Sequence, residues 1–392
     1  MSTVSLFPSS STLRVVKNAK NEQRRSSCDH ETSATAIVYC EANFGKMDGK
    51  TANGLVRHSE KYEILSVIDS EKAGLDAGMV LDDIPNGIPI CLDLDEALKL
   101  AGEGVPDYFI FGMAPSSGIL STKERGLVLE AIGLGMNIVN GLHEFLNEDP
   151  EFAAASARMH VQILDVRKPR AKKDLRMFSG RIDEVTCPVI AVLGTDGAIG
   201  KRTTATILTR ALNDQGVRAV MVGTGQTGLI QGTRYGIALD AIPSQFCSGE
   251  MESTVVEAFE AESPDVIIVE GQGALSHPAY LTSTFILRGS RPDGVVLQHA
   301  PGRGHLGDFG TVAMPTPAAE INLIQTFAKT KVIGLTINHE DMTDTEVSAA
   351  ITKYEDELGI PATDALTRSP ERLVEMVLAA FPALSATLAA SA

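Results

Sequence analysis

Residues 189–204 read Val-Ile-Ala-Val-Leu-Gly-Thr-Asp-Gly-Ala-Ile-Gly-Lys-Arg-Thr-Thr. An unbroken apolar run enters a glycine-rich turn and leaves it on a lysine, the pattern of a buried strand feeding a helix through a phosphate loop. Glycine allows positive φ and close backbone approach, so consecutive N–H groups converge on anionic oxygens at the helix N-terminus, where the dipole favours negative charge. Lys201 adds a point charge. The expected coenzyme-binding residues are therefore Gly194, Thr195, Asp196, Gly197, Ala198, Ile199, Gly200, Lys201, Arg202, Thr203 and Thr204. After the lysine, where such loops place Ser or Thr to reach magnesium, stands Arg202, with threonines only at 203 and 204. No metal ligand is assigned.

This unit sits in a long alternation of short apolar runs and helical stretches. Strands are expected at 36–40, 64–68, 88–92, 108–112, 137–139 and 161–166, with helices at 51–58, 95–101, 122–135 and 152–159. Alternation of this kind implies parallel pairing with right-handed crossovers. A second series follows, with strands at 189–193, 219–222, 266–269, 294–298 and 332–337 and helices at 202–215, 252–261, 318–328, 345–358 and 370–381. Between them, the basic segment 167–176 with Pro169 breaks the periodicity and reads as a linker or surface crossover. The expected fold is α/β: an N-terminal Rossmann-like parallel-sheet domain over 35–180, then a C-terminal three-layer α/β/α domain of the P-loop NTPase kind over 181–392. The first domain carries no GxGxxG. Gly49-Lys50-Thr51 resembles the end of a phosphate loop, but Phe44 stands where its first glycine belongs, and a helix start at Thr51 is the preferred reading.

Composition narrows the partners. A formal net charge of -16 argues against nucleic acid and anionic membranes, leaving small molecules. Cys28, Cys40, Cys91, Cys187 and Cys247 are scattered and odd in number, which points to a reducing, cytoplasmic setting. Residues 1–34 are Ser-rich, basic and poor in acids, so they read as a disordered tail, with organelle targeting the alternative.

Ligands in open α/β sheets gather at the carboxyl ends of strands. Glu270 closes an apolar strand and is expected in the site as a catalytic base. Gln226, Thr227 and Gly228 follow the strand at 219–222, Gln272 follows Glu270, and Asn338 ends a later strand with an amide suited to an adenine edge. The turn-rich segment 297–309 reads as a mobile substrate loop. In it Arg303 is a candidate fork for a substrate carboxylate, and Asp308, like His277 upstream and His299 and His305 within it, is a candidate base.

The loop at 194–201, with Gln226-Thr227-Gly228, Glu270-Gly271-Gln272-Gly273 and Ile337-Asn338, resembles dethiobiotin synthetase and its phosphate-loop relatives. From about residue 36 to 381 the chain more closely resembles a two-domain family long described as of unknown function, sometimes labelled NAD-dependent epimerase/dehydratase. Gly200-Lys201-Arg202-Thr203-Thr204 and Lys50-Thr51-Ala52 through Arg57 carry that likeness. Some members are D-glutamate N-acetyltransferases, so the resemblance implies acetyl-CoA as donor and an acidic amino acid as acceptor. Two rivals stay open: an ATP- and Mg²⁺-dependent ligase like dethiobiotin synthetase, and a nucleotide-binding regulatory protein without turnover. A homo-oligomer is expected of a large α/β protein.

Overall fold

The computed structural model describes residues 34–385, apart from residues 103 and 116. The leader, but for Ala34, and Cys28 lie outside the described residues.

The first sheet is built from β1 (Ala34–Tyr39), β2 (Tyr62–Ile68), β3 (Ile90–Cys91), β4 (Tyr108–Phe111), β5 (Asn137–Asn140) and β6 (Ile163–Asp165). Its order is β3-β2-β1-β4-β5-β6, with every pair parallel. α1 (Lys50–Arg57), α2 (Ala77–Asp82), α3 (Leu94–Ala101), α4 (Thr122–Gly133) and α5 (Pro150–Met159) supply the crossovers. This is the Rossmann-like order, whose direction reverses between β1 and β4. α1 starts at that reversal. The strands were legible because strands buried on both faces read as continuous apolar runs. α2, whose N-cap Asp76 accepts from Met79 N, was not anticipated.

The second sheet has seven parallel strands in the order β15-β14-β11-β7-β10-β8-β9. These are β7 (Val189–Gly194), β8 (Ala219–Gly223), β9 (Tyr235–Gly236), β10 (Val266–Glu270), β11 (Gly294–His299), β14 (Lys331–Ile337) and β15 (Ala362–Thr363). β7 lies between β10 and β11, so both neighbours of the phosphate-loop strand bring their last residues to its end. One face is covered by α6 (Lys201–Asp214) and α12 (Glu371–Ala380), the other by α8 (Ser244–Glu262), α9 (Thr282–Ser290), α10 (Pro317–Phe327) and α11 (Asp344–Leu358), giving the three-layer P-loop domain.

Two segments depart from expectation. The stretch read as a ligand-facing loop after β8 contains α7 (Gln226–Gln231), and the expected mobile loop contains a hairpin of β12 (His305–Leu306) and β13 (Phe309–Ala313). α8 also begins two turns earlier than the sequence indicated.

The crossover between the sheets is pinned by α8. Arg176 donates to Glu250 through its backbone N–H (2.6 Å) and guanidinium Nη2 (2.9 Å), and Ser179 donates to Glu252 through N–H (2.7 Å) and hydroxyl (2.9 Å). Both glutamates are buried. Gly249 lets the crossover lie against the helix, since a Cβ there would run into the backbone of Arg176, Met177 and Phe178. Gly249→Ala is therefore expected to lower unfolding free energy by about 1–3 kcal/mol. A urea titration showing unchanged stability would contradict this packing.

Candidate functional site

The turn after β7 is shaped by backbone conformation first. Ala198 and Gly200 both have positive φ, at 49° and 98°. Gly200 caps α6 without a side-chain hydrogen bond, and no acidic residue lies in the first turn. The helix itself thus brings no counter-charge to its first amides, while the Asp196 carboxylate in the turn accepts from Gly197 N at 2.6 Å. Lys201 is 5% exposed and donates its Nζ to the carbonyl of Asp196. Among the described residues it has no carboxylate within ion-pair distance. Burial pushes its ammonium down to about 8, opposed by Asp196 and Glu270 and reinforced by Lys50 and Arg303.

Arg303 was expected to reach a substrate carboxylate. Instead it clamps the turn. Nη1 donates to Asp196 Oδ2 (3.1 Å) and Gly197 O (3.2 Å), Nη2 to Ala198 O (3.2 Å), and Nε and Nη2 to Glu340 Oε2 (3.0 and 2.7 Å). Its five N–H donors are thus engaged, leaving none for a substrate. Asp196 also accepts from Gly307 N at 2.9 Å, so the hairpin and the phosphate loop hold each other. Thr195 bonds His299 Nδ1 at 2.9 Å, and Thr204 donates to Gln298 at 2.6 Å. His299 is pushed down to about 4 by burial, so it is neutral at pH 7. Asn338 accepts from Glu340 N at 2.9 Å, and its Nδ2 lies 4.0 Å from where a Cβ would stand on Gly200. Thr203 is half-buried on α6.

Glu270 ends β10 beside the turn and is 5% exposed. Its Oε2 accepts from Thr224 N at 3.1 Å. Burial raises its carboxyl above the usual range, against the pull of Arg202, the Thr224 amide and Lys201. Gly228 makes room for it, because a Cβ there would stand 2.7 Å from Glu270 Oε2 and 3.3 Å from Arg202 Nη1.

His277 was another histidine expected as a base. Its side chain is buried and stacked on Tyr280, with ring centroids 4.4 Å apart. Nδ1 accepts from Ala279 N and Tyr280 N, each at 3.2 Å. The lone pair is therefore on Nδ1 and the neutral ring carries its proton on Nε2. Nε2 is buried without a partner, 4.0 Å from Asp196 Oδ1. In that tautomer the basic nitrogen is already taken up by two backbone N–H groups. Asp308, exposed in the hairpin turn, accepts from Tyr280 OH at 2.7 Å, and His305 is exposed in β12.

The expected substrate residues after β8 mostly build the seam between the sheets. Thr227 bonds Thr51 (3.1 Å), and Gln231 donates to Gly54 O (2.7 Å) and His58 O (2.9 Å). Gln226 packs on Gly141, and Ile230 joins the core of the first sheet. Gln272 donates to Thr224 O. Sequence reasoning did not assign Lys50 to the site. At the first residue of α1, it has surface open to solvent but lies deep enough that burial holds its ammonium below the usual lysine range; it has no ion pair among the described residues and neighbours Arg167, Asp308, Asp240 and Lys201. Arg167, read as linker, is committed to Asp240 (2.8 Å) and Gly141 O.

Residues 176–374 match a family described as "Domain of unknown function (DUF1611_C) P-loop domain", and residues 70–169 match its partner, "DUF1611_N Rossmann-like domain". The chain belongs to the DUF1611 family. It is 31% identical over 298 residues to a D-glutamate N-acetyltransferase of Pseudoalteromonas sp, covering 74% of this chain and 86% of that protein. A D-glutamate N-acetyltransferase of Tritonibacter scottomollicae is 28% identical over 294 residues, covering 74% and 85%. A crystal structure of a DUF1611 family protein from Anabaena variabilis superposes with a TM-score of 0.80 at 30% identity, over 88% of this chain and 100% of that one. The DUF1611 architecture thus joins the two sheets in one protein. No helix among the described residues is long and apolar enough to cross a membrane.

The depressed Lys201 gives a pH expectation. Above pH of about 8 the free ammonium loses its proton, whereas a bound phosphate restores it. Affinity for a phosphate-bearing ligand should therefore fall by up to about tenfold per pH unit above that point, with proton uptake on binding. Calorimetry in buffers of different ionisation enthalpy reads this directly, and proton release would contradict it.

Proposed function

We propose that this chain is an acetyl-CoA-dependent N-acetyltransferase acting on an acidic amino acid, with D-glutamate the first acceptor to test. The observation that carries the reading is a buried carboxyl of raised proton affinity, Glu270, beside a phosphate cradle centred on Lys201. The name borne by the two relatives supports it. Acetyl-CoA supplies the activated acyl group. The main-chain amides at the start of α6 and the Lys201 ammonium hold its phosphates. Glu270 takes the proton from the attacking amine, the new C–N bond replaces the C–S bond, and the departing thiolate takes that proton back from Glu270, so coenzyme A leaves as the thiol. Lys50 faces the acceptor's carboxylates from the first domain, the place vacated by Arg303.

Acetyl-CoA with D-glutamate should release free thiol, and Glu270→Gln should slow release by about a hundredfold or more with little change in the KM for acetyl-CoA. Full-rate turnover by that variant would remove Glu270 from the role. Lys50→Met should raise the KM for the acceptor by about tenfold or more, and an unchanged KM would free Lys50 of it. A ligase reading is favoured by the carboxylate on the strand next to β7, and it requires ADP formation from ATP with the amino acid.

A further inference from the structure

A phosphate loop usually shares its ligand's charge with a divalent cation, held by the Ser or Thr hydroxyl after the lysine and by a carboxylate at the end of a nearby strand. This chain keeps the carboxylate position, as Glu270, and not the hydroxyl. The residues present do not fit that ion. Residue 202 carries a guanidinium, and neither following threonine substitutes for the missing hydroxyl. Thr204 is buried with its hydroxyl bonded to Gln298 at 2.6 Å, and Thr203 lies ~100° further round the helix than residue 202.

The Arg202 guanidinium is held in place. Nε donates to Gln231 Oε1 at 3.0 Å, and the same Gln231 amide is fixed from its other end by Gly54 O and His58 O across the seam. Nη1 donates to Met221 Sδ at 3.2 Å and stands 3.3 Å from where a Cβ would sit on Gly228, a point 2.7 Å from Glu270 Oε2. A fixed, permanently charged group is thus held between α6, α7 and β8, with the Glu270 carboxylate near its Nη1 side.

We infer that Arg202 takes the place of the divalent cation, so that this phosphate loop binds its diphosphate ligand without magnesium. The inference rests on the reading of the 194–201 turn as a phosphate cradle and adds the source of its counter-charge. It also gives a physical reason for selecting a coenzyme A diphosphate over magnesium-complexed ATP: a metal-bound triphosphate would bring a second cation against Arg202.

The test is calorimetric titration of ADP and of coenzyme A into the full chain, with excess EDTA and with excess magnesium. The wild type should show Kd values within about twofold in the two conditions, whereas Arg202→Thr should lose about tenfold or more in EDTA and regain affinity for ADP in magnesium. Arg202→Lys should keep metal-independent binding at reduced strength, which a purely structural loss would not produce. Thermal unfolding of each variant checks that the seam through Gln231 survives. Wild-type binding that drops tenfold or more on adding EDTA would overturn the inference, as would an Arg202→Thr variant indifferent to both additions. If that variant does not fold, the wild-type and Arg202→Lys titrations decide. Metal-independent ADP binding without thiol release from acetyl-CoA would instead sink the acetyltransferase reading and leave this one standing.

Discussion

An ammonium group buried without a carboxylate partner is costly, and Lys201 is such a group. The structure around it makes that burial tolerable only in part. One carbonyl accepts from it, its proton affinity is depressed, and the unpaired amides of α6 add further positive potential. In the proposed function an anion delivered from outside completes the set. Much of the second domain serves to keep this arrangement open. Arg303 and the hairpin fix the turn through Asp196, Glu270 closes the neighbouring strand, and Gly228 leaves space between carboxylate and guanidinium.

The first domain contributes at the same point. Its sheet reverses order between β1 and β4, and α1 begins there with Lys50 exposed. α7 then docks on α1 through Thr51, Gly54 and His58. The seam therefore couples the carboxyl ends of two parallel sheets, one carrying the glycine-rich turn with Lys201 and the other Lys50 at the start of α1. The proposed bisubstrate reaction would set its donor against Lys201 and its acceptor against Lys50, one on each domain.

The fold was readable because central parallel strands are apolar throughout, and because 189–204 joins strand, turn and lysine in one stretch. The site was readable only where a residue's role depends on its own neighbours in sequence. Arg303 shows the limit: a guanidinium fork looks the same in sequence whether it grips a substrate or the carbonyls of Gly197 and Ala198. His277 shows another, because its tautomer is set by the amides of Ala279 and Tyr280. α7 was hidden by its glycines and by having no side-chain N-cap; Ile230, buried in the other domain's core, holds it. Lys50 was discounted because Phe44 breaks the motif before it. What brings it near Lys201 is the seam, which no local pattern encodes.

The central claim is that the turn from β7 into α6 is an anion cradle. A crystal structure of the chain with coenzyme A tests it most directly. The account requires diphosphate oxygens within hydrogen-bonding distance of the amides at 198–202 and of Lys201 Nζ. Coenzyme A lodged wholly in the crevice between β1 and β4, with the 194–201 turn out of contact, would contradict it.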